Sequence, residues 1–217
     1  MSSGEFIRSS GGWGREIRGP TMERTERMTT LRNRFPASWT AGLVPSRTAR
    51  RVIGVVAFAA ATAFGARVAV MIPGTPVPFT FQPLFVLLAG AVLGARLGAA
   101  SQAAYLAAGI AGLPVFVAGG GAAYLLGPTG GYLMAYPLAA FLAGSLAHRG
   151  LARALGGLLL GLATIYAGGL AWLAVVGDVN AAVALGLRPF VLMDLVKVAI
   201  VLAIVWRTGP RSRELFG

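Results

Sequence analysis

The sequence predicts an all-α membrane protein of six transmembrane helices with both termini cytoplasmic, and three observations predict it. Hydrophobic residues make up 56% of the chain, mean hydropathy is +0.73 and only 12% of residues are charged. Soluble domains carry about a quarter charged residues. The apolar residues fall in stretches of roughly bilayer-spanning length, separated by Gly, Pro and Arg. The basic residues sort by side: the N-terminal tail, Arg96, the His148 to Arg153 loop and the C-terminal tail share one face of a six-span chain, with only Arg67 and Arg188 near the other. The positive-inside rule makes the first face cytoplasmic.

Residues 1–48 are rich in Gly, Ser, Thr and Arg, contain Pro20, Pro36 and Pro45, and show no sustained apolar period. They read as a disordered basic tail. They are no signal peptide, because the basic region leads into a long apolar segment with no cleavage site before it. Met22 and Met28 are alternative starts. A transmembrane domain is expected over 49–207 and a cytoplasmic tail over 208–217. The first span, about Val52 to Met71, ends at Ile72-Pro73-Gly74-Thr75-Pro76-Val77-Pro78, where three prolines and a glycine stop a helix. Its small residues (Ala57, Ala61 and Gly65 on one stripe, Ala59 and Ala63 on the next) repeat at i, i+4, a spacing that lets helix backbones approach closely. Whether the partner lies in this chain or in another protein stays open at this level.

Between Phe79 and His148 the only charge is Arg96. That run must hold several crossings: a short second span (81–94), a turn at Gly94-Ala95-Arg96-Leu97-Gly98, and a third span (98–112). Residues 112–131 carry seven glycines and two prolines, a poor continuous helix that is tolerated at membrane depth only where it is buried or lines a cavity. A fourth span is expected over 131–147, a fifth over about 154–176 and a sixth over about 186–206. The Pro-rich loop (72–80), the Gly-rich loop (113–130) and the start of the last helix then share the outer side.

The last span holds the chemistry. Lys197 is the only lysine, and between Glu26 and Glu214 the only acids are Asp178 and Asp194. A charge at mid-bilayer costs about 2.5–3.5 kcal/mol on insertion scales, so such charges pair, face a cavity and serve a purpose. At i, i+3 Asp194 and Lys197 share a helical face and present an acceptor beside a donor. The pair is either a packing device or the holder of a polar ligand. Buried pairs seldom repay their desolvation, which favours the ligand. Arg67, near the outer end of the first span, either snorkels to headgroups or binds an anion. Thr129 is a candidate helix cap, or part of a backbone lid over a ligand. Tyr105, Tyr124, Tyr132 and Trp172 suit interfacial anchoring, with Tyr124 also placed to wall a pocket. Asp178 reads as a solvated loop acid and His148 as a headgroup neighbour.

Several classes are excluded. No cysteine and a single histidine leave no thiolate or histidine metal cluster, no cofactor is implied, and hydroxyls without a partner histidine supply no nucleophile and base. The chain reads as no enzyme. The net charge of +12 suggests nucleic acid, but ten of the nineteen basic residues lie in the first 51 positions, which suits anionic lipid of the bilayer instead.

Pro76-Val77-Pro78-Phe79-Thr80-Phe81-Gln82, Leu88-Ala89-Gly90 with Leu93-Gly94-Ala95-Arg96-Leu97-Gly98, Gly112-Leu113-Pro114-Val115-Phe116, Gly127-Pro128-Thr129-Gly130-Gly131-Tyr132, and Asp194 with Lys197 together resemble the BioY family in order and spacing. These are the biotin-specific substrate-binding (S) components of energy-coupling factor (ECF) vitamin transporters. The resemblance covers nearly all of 50–206. It implies a six-helix substrate-binding bundle in the bacterial cell membrane, a biotin site open to the outside, and as partners a shared transmembrane coupling subunit with two ABC-type ATPases. It also implies that Asp194 and Lys197 contact biotin, that the loops around 72–80 and 113–130, the second carrying Tyr124 and Thr129, close over it, with Gln82 at the end of the 76–82 motif as a further ligand-binding candidate, and that the small-residue face of the first helix docks the coupling subunit. Two departures stand out. Met193 replaces a glycine found in many relatives just before the aspartate, where its bulk would shift the pocket wall, and the loop 117–125 lacks the Asn or Arg that some relatives offer a carboxylate, making Arg67 the replacement candidate. The other function class compatible with the residues is a stand-alone secondary transporter or channel that uses Asp194 as a protonation site.

Overall fold

The computed structural model describes residues 46–216. The tail expected over 1–48 lies outside the described residues except for its last three. Seven α-helices are found among the described residues: α1 (Arg47–Arg67), α2 (Gln82–Leu93), α3 (Ala95–Ile110), α4 (Gly130–Leu146), α5 (Leu151–Val176), α6 (Val179–Gly186) and α7 (Val191–Phe216). Between α1 and α2 the strands β1 (Ala69–Val70) and β2 (Phe79–Thr80) pair antiparallel, with Ala69 opposite Thr80 and Val70 opposite Phe79. A 3₁₀ turn spans Ala122–Leu126.

Five expected spans coincide closely with α1 to α5. The first helix stops earlier than expected, at Arg67, because the chain turns at Val68 into β1. The short α6 fills a stretch read as loop, and α7 continues to Phe216, past the expected end near Trp206. Of these helices, α1 and α5 are long and apolar enough to cross a membrane by length and composition, with α2 and α4 shorter apolar helices.

Glycine decides how the bundle closes. A Cβ at Gly90 of α2 would collide with the backbone of Ala140 in α4, and one at Gly98 of α3 would meet the Gly90 backbone. Three helices therefore touch backbone to backbone, a contact open only to the smallest residue. The most extensive pairing joins α4 to α5, and α2 also touches α7. On α1 the buried residues are Gly54, Thr62, Gly65 and Ala66, facing α3 and α2. The small-residue stripe thus divides: Gly65 packs inside the molecule against Phe85 and Gln82, whereas Ala57 is exposed. Around the outside run exposed apolar side chains, among them Val56, Phe64, Leu138, Phe141 and Ile200. This inverts a soluble protein's surface and suits hydrocarbon surroundings.

Candidate ligand-binding site

The start of α7 delivers its two charges to a cavity rather than to lipid. Asp194 and Lys197 are buried, at 5% and 3% exposure, and one turn of helix brings Lys197 Nζ within 2.6 Å of Asp194 Oδ1. Two other parts of the chain complete the arrangement. The Tyr166 hydroxyl of α5 donates to Asp194 Oδ2 at 2.5 Å, and Lys197 also donates to the Thr80 carbonyl of β2 at 2.6 Å. The ammonium sits 4.0 Å from the centroid of the Phe79 ring, a favourable cation–π placement in a desolvated site. Each carboxylate oxygen retains a lone pair and the ammonium a third proton, so the group offers acceptors beside a charged donor.

Next to this group lies a partly open cavity, whose roughly 560 Å³ of non-atom space includes solvent at its mouth. Apart from the ion pair its walls are mostly aromatic and apolar. Phe79, Phe116, Tyr124, Tyr132, Tyr136 and Phe190 contribute rings, and Leu133 and Ile165 contribute aliphatic surface. Phe116 is fully buried and stacks on Tyr124 with centroids 4.9 Å apart, so the Gly-rich loop and the 3₁₀ turn make one aromatic wall.

Of the residues singled out in the sequence, Asp194, Lys197, Tyr124, Gln82 and Thr129 line this one cavity. Gln82 is fixed in place: its Nε2 donates to Tyr105 Oη at 2.6 Å, and its Oε1 accepts from Thr80 Oγ1 at 3.2 Å. Thr129 occupies the N-cap position of α4, but its side chain makes no cap bond. The capping expectation fails there: Thr129 has helical backbone angles (φ −92°, ψ −5°) instead of the extended ones typical of an N-cap. Arg67 is not among the lining residues. Its guanidinium instead donates to the Pro114 carbonyl and ties the end of α1 to the outer loop.

Tyr105 and Tyr132 depart from interfacial anchoring, since both are buried. Each hydroxyl has an internal carbonyl to bond, Val115 at 3.3 Å and Gly186 at 2.9 Å respectively, so neither ring needs the bilayer surface. Trp172 is half-buried and donates to the Gly127 carbonyl at 2.9 Å. Met193 is 55% exposed and absent from the lining. It points about 100° around the helix from Asp194, so the expected shift of the pocket wall does not arise. Sequence reasoning missed Tyr166 and Tyr136. The available signal for Tyr166 was a tyrosine in mid-span, between Ile165 and Ala167, where a hydroxyl needs a buried partner.

Comparison with known proteins gives one answer. A probable biotin transporter BioY from Pyrococcus horikoshii is 46% identical over 160 residues, spanning 73% of this chain and 96% of that protein. The biotin transporter BioY of Thermotoga maritima is 41% identical over 162 residues, 73% of this chain and 95% of its own. Among solved structures, the S-component for biotin from an ECF-type ABC transporter superposes with a TM-score of 0.69 at 25% identity, covering 77% of this chain and 95% of the other. The BioY family model itself matches residues 32–214, which takes in every helix of the bundle almost to its end: this chain belongs to the BioY family.

Proposed function

We infer that the chain takes up biotin as the membrane-embedded, biotin-binding S-component of an ECF-type transporter. The observation that carries the reading is the buried Asp194, held by Lys197 and Tyr166 on the wall of an otherwise apolar, aromatic cavity. Biotin carries a ureido group with two N–H donors and one carbonyl, an apolar thioether ring and a carboxylate tail. In this reading Asp194 accepts from a ureido N–H and Lys197 donates its third proton to the ureido carbonyl. Phe79, Tyr124 and the aliphatic wall cover the ring system, and the Thr129 hydroxyl lies along the ligand. Gln82 keeps the lining rigid through Tyr105. Arg67 acts on the loop through Pro114, which leaves its remaining N–H groups as the candidate for the carboxylate. Charge-assisted bonds in a dry site are strong, and an analogue that cannot make them leaves the pair unsatisfied.

The same reading places the chain in a bacterial cell membrane, with six spans and cytoplasmic termini. The exposed face of α1, with Ala57, is the contact for a transmembrane coupling subunit that carries two ABC-type ATPases. The chain has no cysteine, so single cysteines at Leu113 and Arg149 report topology directly: the first should label from outside the cell and the second only after permeabilisation. The function is tested by calorimetry on the purified chain with biotin, thiamine and riboflavin. Tight binding of biotin alone supports it; a folded protein that ignores biotin overturns it. Uptake that persists without ATPase partners and collapses with the proton gradient would assign the chain to solitary transport instead.

A further inference from the structure

The cavity has four tyrosines, and their hydroxyls are not equivalent. Tyr166 Oη is committed to Asp194 and Tyr132 Oη to the Gly186 carbonyl. Tyr124 is only half-buried, so bulk water reaches it through the mouth. Tyr136 is 3% exposed, lines the cavity, and its hydroxyl makes no hydrogen bond among the described residues. Its ring is held against Tyr105 in a stacked arrangement, with centroids 6.4 Å apart and planes at 29°. Tyr105 is itself pinned by Gln82. Tyr136 is therefore a buried ring on the cavity wall whose hydroxyl takes no protein partner and is left for what the cavity holds. A tyrosine hydroxyl in such an apolar site usually has a hydrogen-bond partner, from the protein, water or a ligand.

We propose that Tyr136 is a third recognition group for the ligand's polar head, accepting a second N–H. This rests on the biotin reading and deepens it. The two N–H bonds of a cyclic urea point away from each other, so one carboxylate meets only one of them. Asp194 is further restricted because Lys197 and Tyr166 each occupy one of its oxygens. The second N–H needs another acceptor, and Tyr136 Oη is a lining oxygen without a protein partner on a side chain only 3% exposed. As a neutral donor and acceptor it adds recognition without adding a charge.

The test is Tyr136→Phe, which removes one oxygen and keeps the ring. The proposal expects two results of opposite sense: biotin affinity falls about tenfold, while the melting temperature without ligand stays the same or rises. Affinity within about twofold of the unsubstituted protein overturns it, and so does a melting temperature that falls with the affinity, which marks a structural role. As a second reading on the intact ring, 3-fluorotyrosine at position 136 should show a shifted fluorine resonance on biotin addition, and an unmoved resonance overturns the contact. The unsubstituted protein in the same series separates the two levels. If it is folded and fails to bind biotin, the biotin reading and this proposal fall together. If it binds and Tyr136→Phe binds equally, only the role of Tyr136 falls.

Discussion

Removing one member of the Asp194 and Lys197 pair should do something different from removing both. In Lys197→Met the carboxylate keeps Tyr166 but loses its counterion at 5% exposure, and the Thr80 carbonyl loses its donor. In Asp194→Asn the ammonium stays buried beside a neutral amide. Stranding a buried charge in this way costs about 3–5 kcal/mol. The double variant Asp194→Leu/Lys197→Met strands no charge; it leaves the Tyr166 hydroxyl and the Thr80 carbonyl without partners, against an apolar replacement that is otherwise neutral or stabilising by about 1–4 kcal/mol. It should therefore melt near the unsubstituted protein and above either single variant. Binding should follow another order, because each charge-assisted hydrogen bond lost to the ligand costs about 10- to 150-fold in affinity. Both single variants and the double variant should then bind biotin weakly or not at all. Thermal unfolding in detergent followed by tryptophan fluorescence, with calorimetry on the same samples, gives both readouts. A double variant as unstable as the singles would show that the pair holds the bundle together, and tight binding by any of the three would remove the pair from the site.

Tyr166→Phe keeps the aromatic wall but frees Asp194 Oδ2, so biotin should dissociate about tenfold faster by stopped-flow, with little change in association. Arg67→Met breaks the tie to Pro114, and hydrogen exchange across 112–121 should quicken. Gly169→Ala places a Cβ into the Tyr132 ring, and thermal unfolding should show a loss of about 1–3 kcal/mol from overpacking.

Much of the fold was legible because a membrane helix announces itself through composition. The apolar stretches and their Gly, Pro and Arg punctuation located α1 to α5 to within a few residues. What escaped was short or tertiary in origin. Two-residue strands such as Ala69–Val70 and Phe79–Thr80 carry no period to detect, and an eight-residue helix such as α6 lies far below span length. The site was half legible for a similar reason. Scarcity singled out Asp194 and Lys197, since charges are rare in such a sequence. Tyrosine is amphipathic and equally at home at an interface or in a core, so the sequence could not sort Tyr105 and Tyr132 into the interior. Nor could it show that Tyr166, 28 positions before Asp194, meets it across two helices. The fate of Arg67 likewise depended on a fold of the outer loop that no local pattern encodes.

The i, i+3 spacing of Asp194 and Lys197 also bears on how the protein is made. Because donor and acceptor sit on the same helix, each charge has its counterion as soon as that helix forms, before α5 brings Tyr166 or β2 brings Thr80. The part of the last helix over 191–206 can thus enter the bilayer with its two charges already cancelled, before it packs against the bundle. An acid and a lysine on separate helices would each face hydrocarbon alone during that interval. The spacing therefore suits membrane insertion independently of ligand chemistry. In a glycosylation-mapping assay of the isolated last helix, moving Lys197 to the opposite helical face should lower insertion efficiency at unchanged composition, and equal insertion would show that the spacing answers to the ligand alone.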